Sequence, residues 1–191
     1  MRSFNWYTKL AMRTYIFQKE TKARLEEIET TERVLDAGAT HQLLHGILGM
    51  VGESAEIMSV PMTSDYEKVV EELQKEMGDW MWYLAIAADA MKVTIDELIR
   101  QGEMNAHWAD SGRNIAMISC AMAENLKKWL FYGKRMKHDE LIELMAEGLA
   151  YISYEMTEDQ FSKMLHDNIG KLKIRFPDAF SPEAAIARAD A

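Results

Sequence analysis

Apolar residues recur three and four positions apart along most of this chain, and runs that alternate apolar with polar positions are hard to find. The pattern predicts an all-α protein, a helical bundle with helices over residues 3–28, 40–59, 64–91, 94–107, 113–131, 138–154 and 157–174. With only three prolines and ten glycines, the chain leaves long helical windows. Several starts carry capping signals: Thr63 or Ser64 before "DYEKVVEEL", Thr94 before "IDEL" and Thr157 before "EDQF". Gly46, Gly49 and Gly52 form a ridge at i, i+3, i+6, low enough for another helix to approach closely. Leu73, Met77, Trp80 and Leu84 make a core-facing stripe on the following helix.

Charge interrupts the apolar pattern in two places. In "GMVGESAEIMSV", Glu53 and Glu56 are three positions apart, so their carboxylates lie about 60° apart on one helix face. With His45 neutral, they are the only formal charges from Leu43 to Pro61. In "EELQKEMGDWMWYLAIAADAM", Glu76 and Asp79 repeat that spacing at the margin of the apolar stripe. If the two helices pack antiparallel, four carboxylates converge near the core, where leaving them unpaired is very costly. Two Mg²⁺ ions cancel four such charges, and Mg²⁺ prefers oxygen ligands with some waters retained; Mn²⁺ is the expected substitute. Glu67, Glu71 and Glu72, interleaved with Lys68 and Lys75, read instead as a solvated face.

Composition narrows the classes. With 191 residues, 48% of them hydrophobic, the chain can bury a substantial core as one domain or two small fused units. A net charge of −9 argues against nucleic acid as a partner. The single cysteine, Cys120, excludes an internal disulfide, fits a reducing compartment and reads as a buried thiol. No apolar run reaches the roughly 18 residues of a membrane span, and "MRSFNWYTKLAMRTY" lacks the apolar centre of a secretory signal. A cytoplasmic protein without a membrane partner is expected.

The segments "LLHGILGMVGESAEI" and "EELQKEMGDWMWYLAIAADAMKVTIDEL" resemble the MazG-like, all-α nucleoside triphosphate pyrophosphohydrolases, a superfamily that includes the dimeric dUTPases. The family pattern Glu-x-x-Glu, connector, Glu-x-x-Asp maps onto Glu53, Glu56, Glu76 and Asp79. The resemblance implies that these four bind Mg²⁺ and serve the hydrolysis of an NTP or dNTP to the monophosphate and pyrophosphate. "NIGKLKIRFPDAFSPEAAIARAD" is similar to the family's Asn-x-x-Lys ending, which implies phosphate-facing roles for Asn168, Lys171 and Arg175. A homodimer is the implied assembly. Base and sugar preference stay open: a dUTPase or dCTPase type of enzyme fits, as does a non-catalytic helical module that senses nucleotides.

The chain departs from that family in its layout. The "KKWLFYGK" segment, which in most single-unit relatives follows directly on the Glu-x-x-Glu helix, stands here at residues 127–134. At an offset of 68, Glu72, Leu73, Met77 and Tyr83 match Glu140, Leu141, Met145 and Tyr151, and Asp79 meets Glu147. At an offset of 63, Thr94, Asp96 and Asn105 match Thr157, Asp159 and Asn168. The expectation is one all-α domain over 1–191 built as an internally duplicated pseudo-dimer, with a metal-binding half at 40–107 and a degenerate second half at 113–182. Glu76 falls opposite Leu144 and Lys171 opposite Trp108, so each half lacks what the other supplies.

Other candidates are weaker by chemistry. Lys127, Lys128, Lys134 and Arg135 could face phosphates or form a solvated basic surface. Trp80, Trp82 and Tyr83 could stack on a base or belong to the core, with Trp80 and Tyr83 nominated for the substrate. His41 and His45 lie at i, i+4, but Gln42 stands where a His-Glu-x-x-His hydrolase needs glutamate, so His45 is assigned to substrate or packing. No Glu-x-x-His repeat supports a di-iron site, and the Gly-Lys pairs lack P-loop spacing.

Overall fold

The computed structural model describes residue 35 and residues 37–104, 113–154 and 156–175. Among these residues are six helices and no strand: α1 (Ala37–Ser59), α2 (Tyr66–Ala90), α3 (Ile95–Met104), α4 (Ile115–Tyr132), α5 (His138–Ser153) and α6 (Glu158–Arg175). The helix expected over 3–28 lies outside the described residues, as do 105–107 of the fourth window and 176–182 of the second half. No helix among the described residues is long and apolar enough to cross a membrane.

Local chemistry accounts for where the helices begin and end. Asp65, one residue beyond the expected Thr63 or Ser64, caps α2 by accepting from the Lys68 amide at 3.3 Å. Thr94 and Glu97 form a reciprocal capping box at the start of α3, the backbone N–H of each donating to the other's side chain at 2.8 and 3.2 Å. Thr157 and Gln160 do the same for α6 at 2.8 and 3.3 Å. Gly133 stops α4 with φ of 63°, the left-handed conformation in which a side chain is strained.

Packing follows two helical hairpins. α1 and α2 run antiparallel and make the most extensive helix–helix contact among the described residues, as their cross-links show: Gln42 Nε2 donates to the Ile86 carbonyl and to Asp89 Oδ2, at 3.1 and 2.8 Å, near one end. Gly46 and Gly49 make the approach possible. A Cβ on Gly46 would stand 2.8 Å from the Tyr83 carbonyl, and one on Gly49 would enter the Tyr83 ring at 2.0 Å. Gly52, the third member of the ridge, faces open space. α4 and α5 form the second hairpin, α4 lies on α1, and the two remaining helices pack across, α3 onto α5 and α6 onto α2.

The core is continuous through both hairpins, with Trp80 and Trp129 its largest fully buried side chains. A small polar island sits inside it. Ser54 and Ser119 hydroxyls meet at 2.7 Å, and the Trp80 indole N–H donates to Ser119 at 3.1 Å. The Trp80 ring lies on Gly148, where a Cβ would come within 2.6 Å of it. Cys120 is exposed, not the buried thiol expected. Ile118, Ser119 and Met122 turn inward on α4, which rotates position 120 to the solvent side.

Candidate metal centre

The antiparallel register of α1 and α2 sets Glu53 against the turn of α2 that carries Glu76 and Asp79. One carboxylate oxygen from each of the three lies within 4.8 Å of the others, and each side chain is partly buried. Three of the four expected carboxylates therefore converge. Glu56 does not join them: it is exposed, one turn farther along α1, where the helix surface has rotated toward solvent. Its charge still reaches the group.

Electrostatics report the crowding. Burial pushes the Glu53 carboxyl up to about 7 from its ordinary 4.5, with further upward pressure from Asp79, Glu56 and Glu76 and relief from Lys171. Glu76 is raised as well, first by burial and then by Glu56 and Asp79, against the lowering influence of Lys75 and Lys171. Both shifts share the same causes in the same order, burial first and then an excess of negative charge.

α6 delivers the compensating groups. Lys171 Nζ donates to Asp79 Oδ1 at 2.5 Å and also contacts Oδ2, with the two side chains only 17% and 22% exposed. Asn168 Nδ2 donates to the same Oδ1 at 2.6 Å. Asn168 can reach because position 78 is glycine: a Cβ there would press on the Asn168 side chain at 3.1 Å. The Asn-x-x-Lys spacing of α6 thus puts both donors on Asp79, about one helical turn apart. Arg175 ends α6, and its side chain lies outside the described residues.

Along the same α1/α2 face, His45, Trp82 and Tyr83 form an edge-to-face aromatic cluster. Ring centroids are 5.5 Å apart for His45 and Tyr83, 6.1 Å for His45 and Trp82, and 4.8 Å for Trp82 and Tyr83. His45 is exposed and both α2 aromatics are half-buried, so this cluster presents a surface. Trp80 is withdrawn as a substrate contact, because its ring has no exposed area and its N–H is bound to Ser119. Lys127 and Lys128 pair with Glu124 on the solvent side of α4, which fits the solvated reading of that basic segment.

The position matched to Asp79 in the second half, Glu147, is 4% exposed and pairs with Arg113 at 2.6 Å. Sequence reasoning missed Arg113. Its only signal was a lone arginine at the first position of a predicted helix, and nothing local pointed 34 residues on. In comparisons with known proteins, no family model, curated protein or solved structure matches the chain, so the chemistry of this site rests on its own geometry.

Proposed function

We propose that the chain is a Mg²⁺-dependent nucleoside triphosphate pyrophosphohydrolase that splits an NTP or dNTP into the monophosphate and pyrophosphate. The observation that carries this reading is the convergence of Glu53, Glu76 and Asp79 on one point, flanked by Lys171 and Asn168. The donor set fits the metal: partly buried carboxylates, with Glu53 and Glu76 held toward the protonated form first by burial and then by repulsion, are hard oxygen ligands in want of positive charge. Glu53, Glu76 and Asp79 would hold the ion, with Glu56 within reach of its field. When bound, Mg²⁺ supplies charge neutralisation for the triphosphate and acidifies water.

The chain's own groups have separable tasks. The carboxylates orient a water toward the α-phosphorus and accept its proton as the bond from that phosphorus to the bridging oxygen breaks. Lys171, held at the cluster by Asp79, offers its ammonium to the departing pyrophosphate, and Asn168 keeps Asp79 aligned. His45, Trp82 and Tyr83 offer an aromatic surface on the same helical face for the base. Reaction class is tested by assaying a panel of NTPs and dNTPs for pyrophosphate and monophosphate release with and without Mg²⁺. Metal-dependent formation of both products supports the reading; tight nucleotide binding without turnover would make the protein a sensor.

The same reading includes an internally duplicated architecture with one site per chain. Its support is the reciprocal crossing of α3 onto α5 and α6 onto α2, the paired capping boxes at Thr94 and Thr157, and the Trp80–Gly148 contact between positions 68 apart. At a two-fold axis a position meets its own counterpart. Titration of a non-hydrolysable triphosphate with Mg²⁺ should saturate at one ligand per chain.

A further inference from the structure

A cleft of about 380 Å³ runs between α2 and α6, next to the carboxylate centre. The two share walls: Asn168 and Lys171 line the cleft and also donate to Asp79. Met164 is the one apolar side chain among the described lining residues. An apolar guest would strip water from the other walls without replacing its hydrogen bonds.

Lysines give the guest its sign. Lys75 from α2 and Lys163 and Lys171 from α6 line the same space. Lys75 is exposed, and its charge relieves part of the upward shift that burial and neighbouring carboxylates impose on Glu76. Lys163 pairs with Asp167 at i, i+4 on the solvent side of α6. Exposed pairs of this kind are weak, so an anion carrying more charge displaces the carboxylate at small cost. Glu71, about two turns before Asp79, is the other acid of the described lining.

Order along α2 narrows the anion. Lys75, Asp79 and Tyr83 stand at i, i+4 and i+8, on one side of the helix and about 6 Å apart in rise. The aromatic surface, the carboxylates and the lysine-lined cleft therefore follow one another in a row. A nucleoside triphosphate has the same sequence of parts: base, α-phosphorus, then the β- and γ-phosphates. Glu71 sets the limit at the far end, because a longer phosphate chain would meet its carboxylate.

We propose that the α2–α6 cleft receives the β- and γ-phosphates and holds them as pyrophosphate after cleavage, with Lys75 and Lys163 as specificity-determining contacts. Naming the guest as the leaving group rests on the pyrophosphohydrolase reading; the cleft's recognition of a diphosphate anion rests on its lysines.

The test is calorimetric titration of the full chain with inorganic pyrophosphate in the presence of Mg²⁺. Pyrophosphate should bind, and Lys75→Ala combined with Lys163→Ala should weaken it at least about tenfold. Lys127→Ala combined with Lys128→Ala removes the same charge from α4 and should leave the affinity unchanged. Circular dichroism melts establish that each variant is folded, and the single variants Lys75→Ala and Lys163→Ala replace the pair if it is not. In the turning-over protein, product inhibition by pyrophosphate should weaken by the same factor. No binding at millimolar pyrophosphate, or binding and inhibition indifferent to both lysines, would overturn the proposal while leaving the hydrolase reading intact. Lysine-dependent pyrophosphate binding in a chain that turns over no triphosphate would overturn the hydrolase reading and leave the cleft a diphosphate site.

Discussion

Asp79 and Glu147 are carboxylates on the second helix of each hairpin, and their surroundings differ in charge balance. Glu147 is buried and paired with Arg113. Asp79 is bound by Lys171 and Asn168, yet it also shares its space with Glu53 and Glu76. A carboxylate with a matched guanidinium is a structural pair; three carboxylates against one ammonium leave negative charge for a cation to neutralise. The excess, more than the carboxylate itself, separates a candidate metal centre from a structural ion pair.

The largest effect that bears on this contrast is chelation. EDTA should abolish pyrophosphate release, and Mg²⁺ or Mn²⁺ should restore it and raise the melting temperature; turnover that survives chelation would sink the metal reading. Next, Glu76→Gln should lower turnover by at least ~100-fold, the scale of a lost electrostatic contact in catalysis, without lowering metal-free stability. Glu147→Gln should leave turnover of the folded protein unchanged while lowering the midpoint of urea unfolding. Equal loss of turnover in both variants would show that the two carboxylates do the same work.

Acidity sharpens the comparison further. Below pH 4.5 Glu53 is protonated in both the folded and unfolded chain; above about 7 it is ionised in both, and the folded form carries the cost of burial and repulsion. Metal-free protein should therefore lose stability as pH rises through that window, by on the order of 2 kcal/mol after allowance for solvent screening. Glu76 contributes with the same sign. Urea unfolding in EDTA across this range measures it, and Glu53→Gln should flatten the profile; a profile unaltered by that substitution would contradict the assignment.

The smallest expected effects concern how α1 approaches α2. Gly49→Ala should cost about 1–3 kcal/mol, because the new methyl enters the Tyr83 ring. Gly52→Ala, with nothing within 4 Å, should stabilise by up to about 1 kcal/mol. Thermal melts of the two variants should move in opposite directions, and a neutral Gly49→Ala would show that the hairpin tolerates a wider gap.

Helical periodicity made the helices legible, since each core stripe repeats within a few residues. The carboxylate site was legible for a related reason: two i, i+3 pairs on neighbouring antiparallel helices must meet if their apolar faces do. That argument fixes a neighbourhood and not a rotation, which is why it kept Glu56 in the cluster. The core position of Trp80 was legible in its stripe with Leu73, Met77 and Leu84, but its partners, Ser119 and Gly148, were not, because they are 39 and 68 positions away. Arg113 escaped in the same way, because its partner Glu147 stands 34 positions on, on another helix. Cys120 shows the converse error, where a residue type usually buried falls on the outward side of its helix.

The hydroxyl of Ser119 has a consequence for the uniqueness of the fold. Sliding α4 by one turn along α1 would bring Ile115 or Ala123 to its place, and neither side chain can accept from the Trp80 indole. A buried donor left without an acceptor costs about 1–3 kcal/mol, whereas the apolar contacts around it would tolerate the slip far better. One small hydroxyl therefore acts as a register pin, holding the two hairpins at the single alignment that also brings α6 to the acidic face of α2.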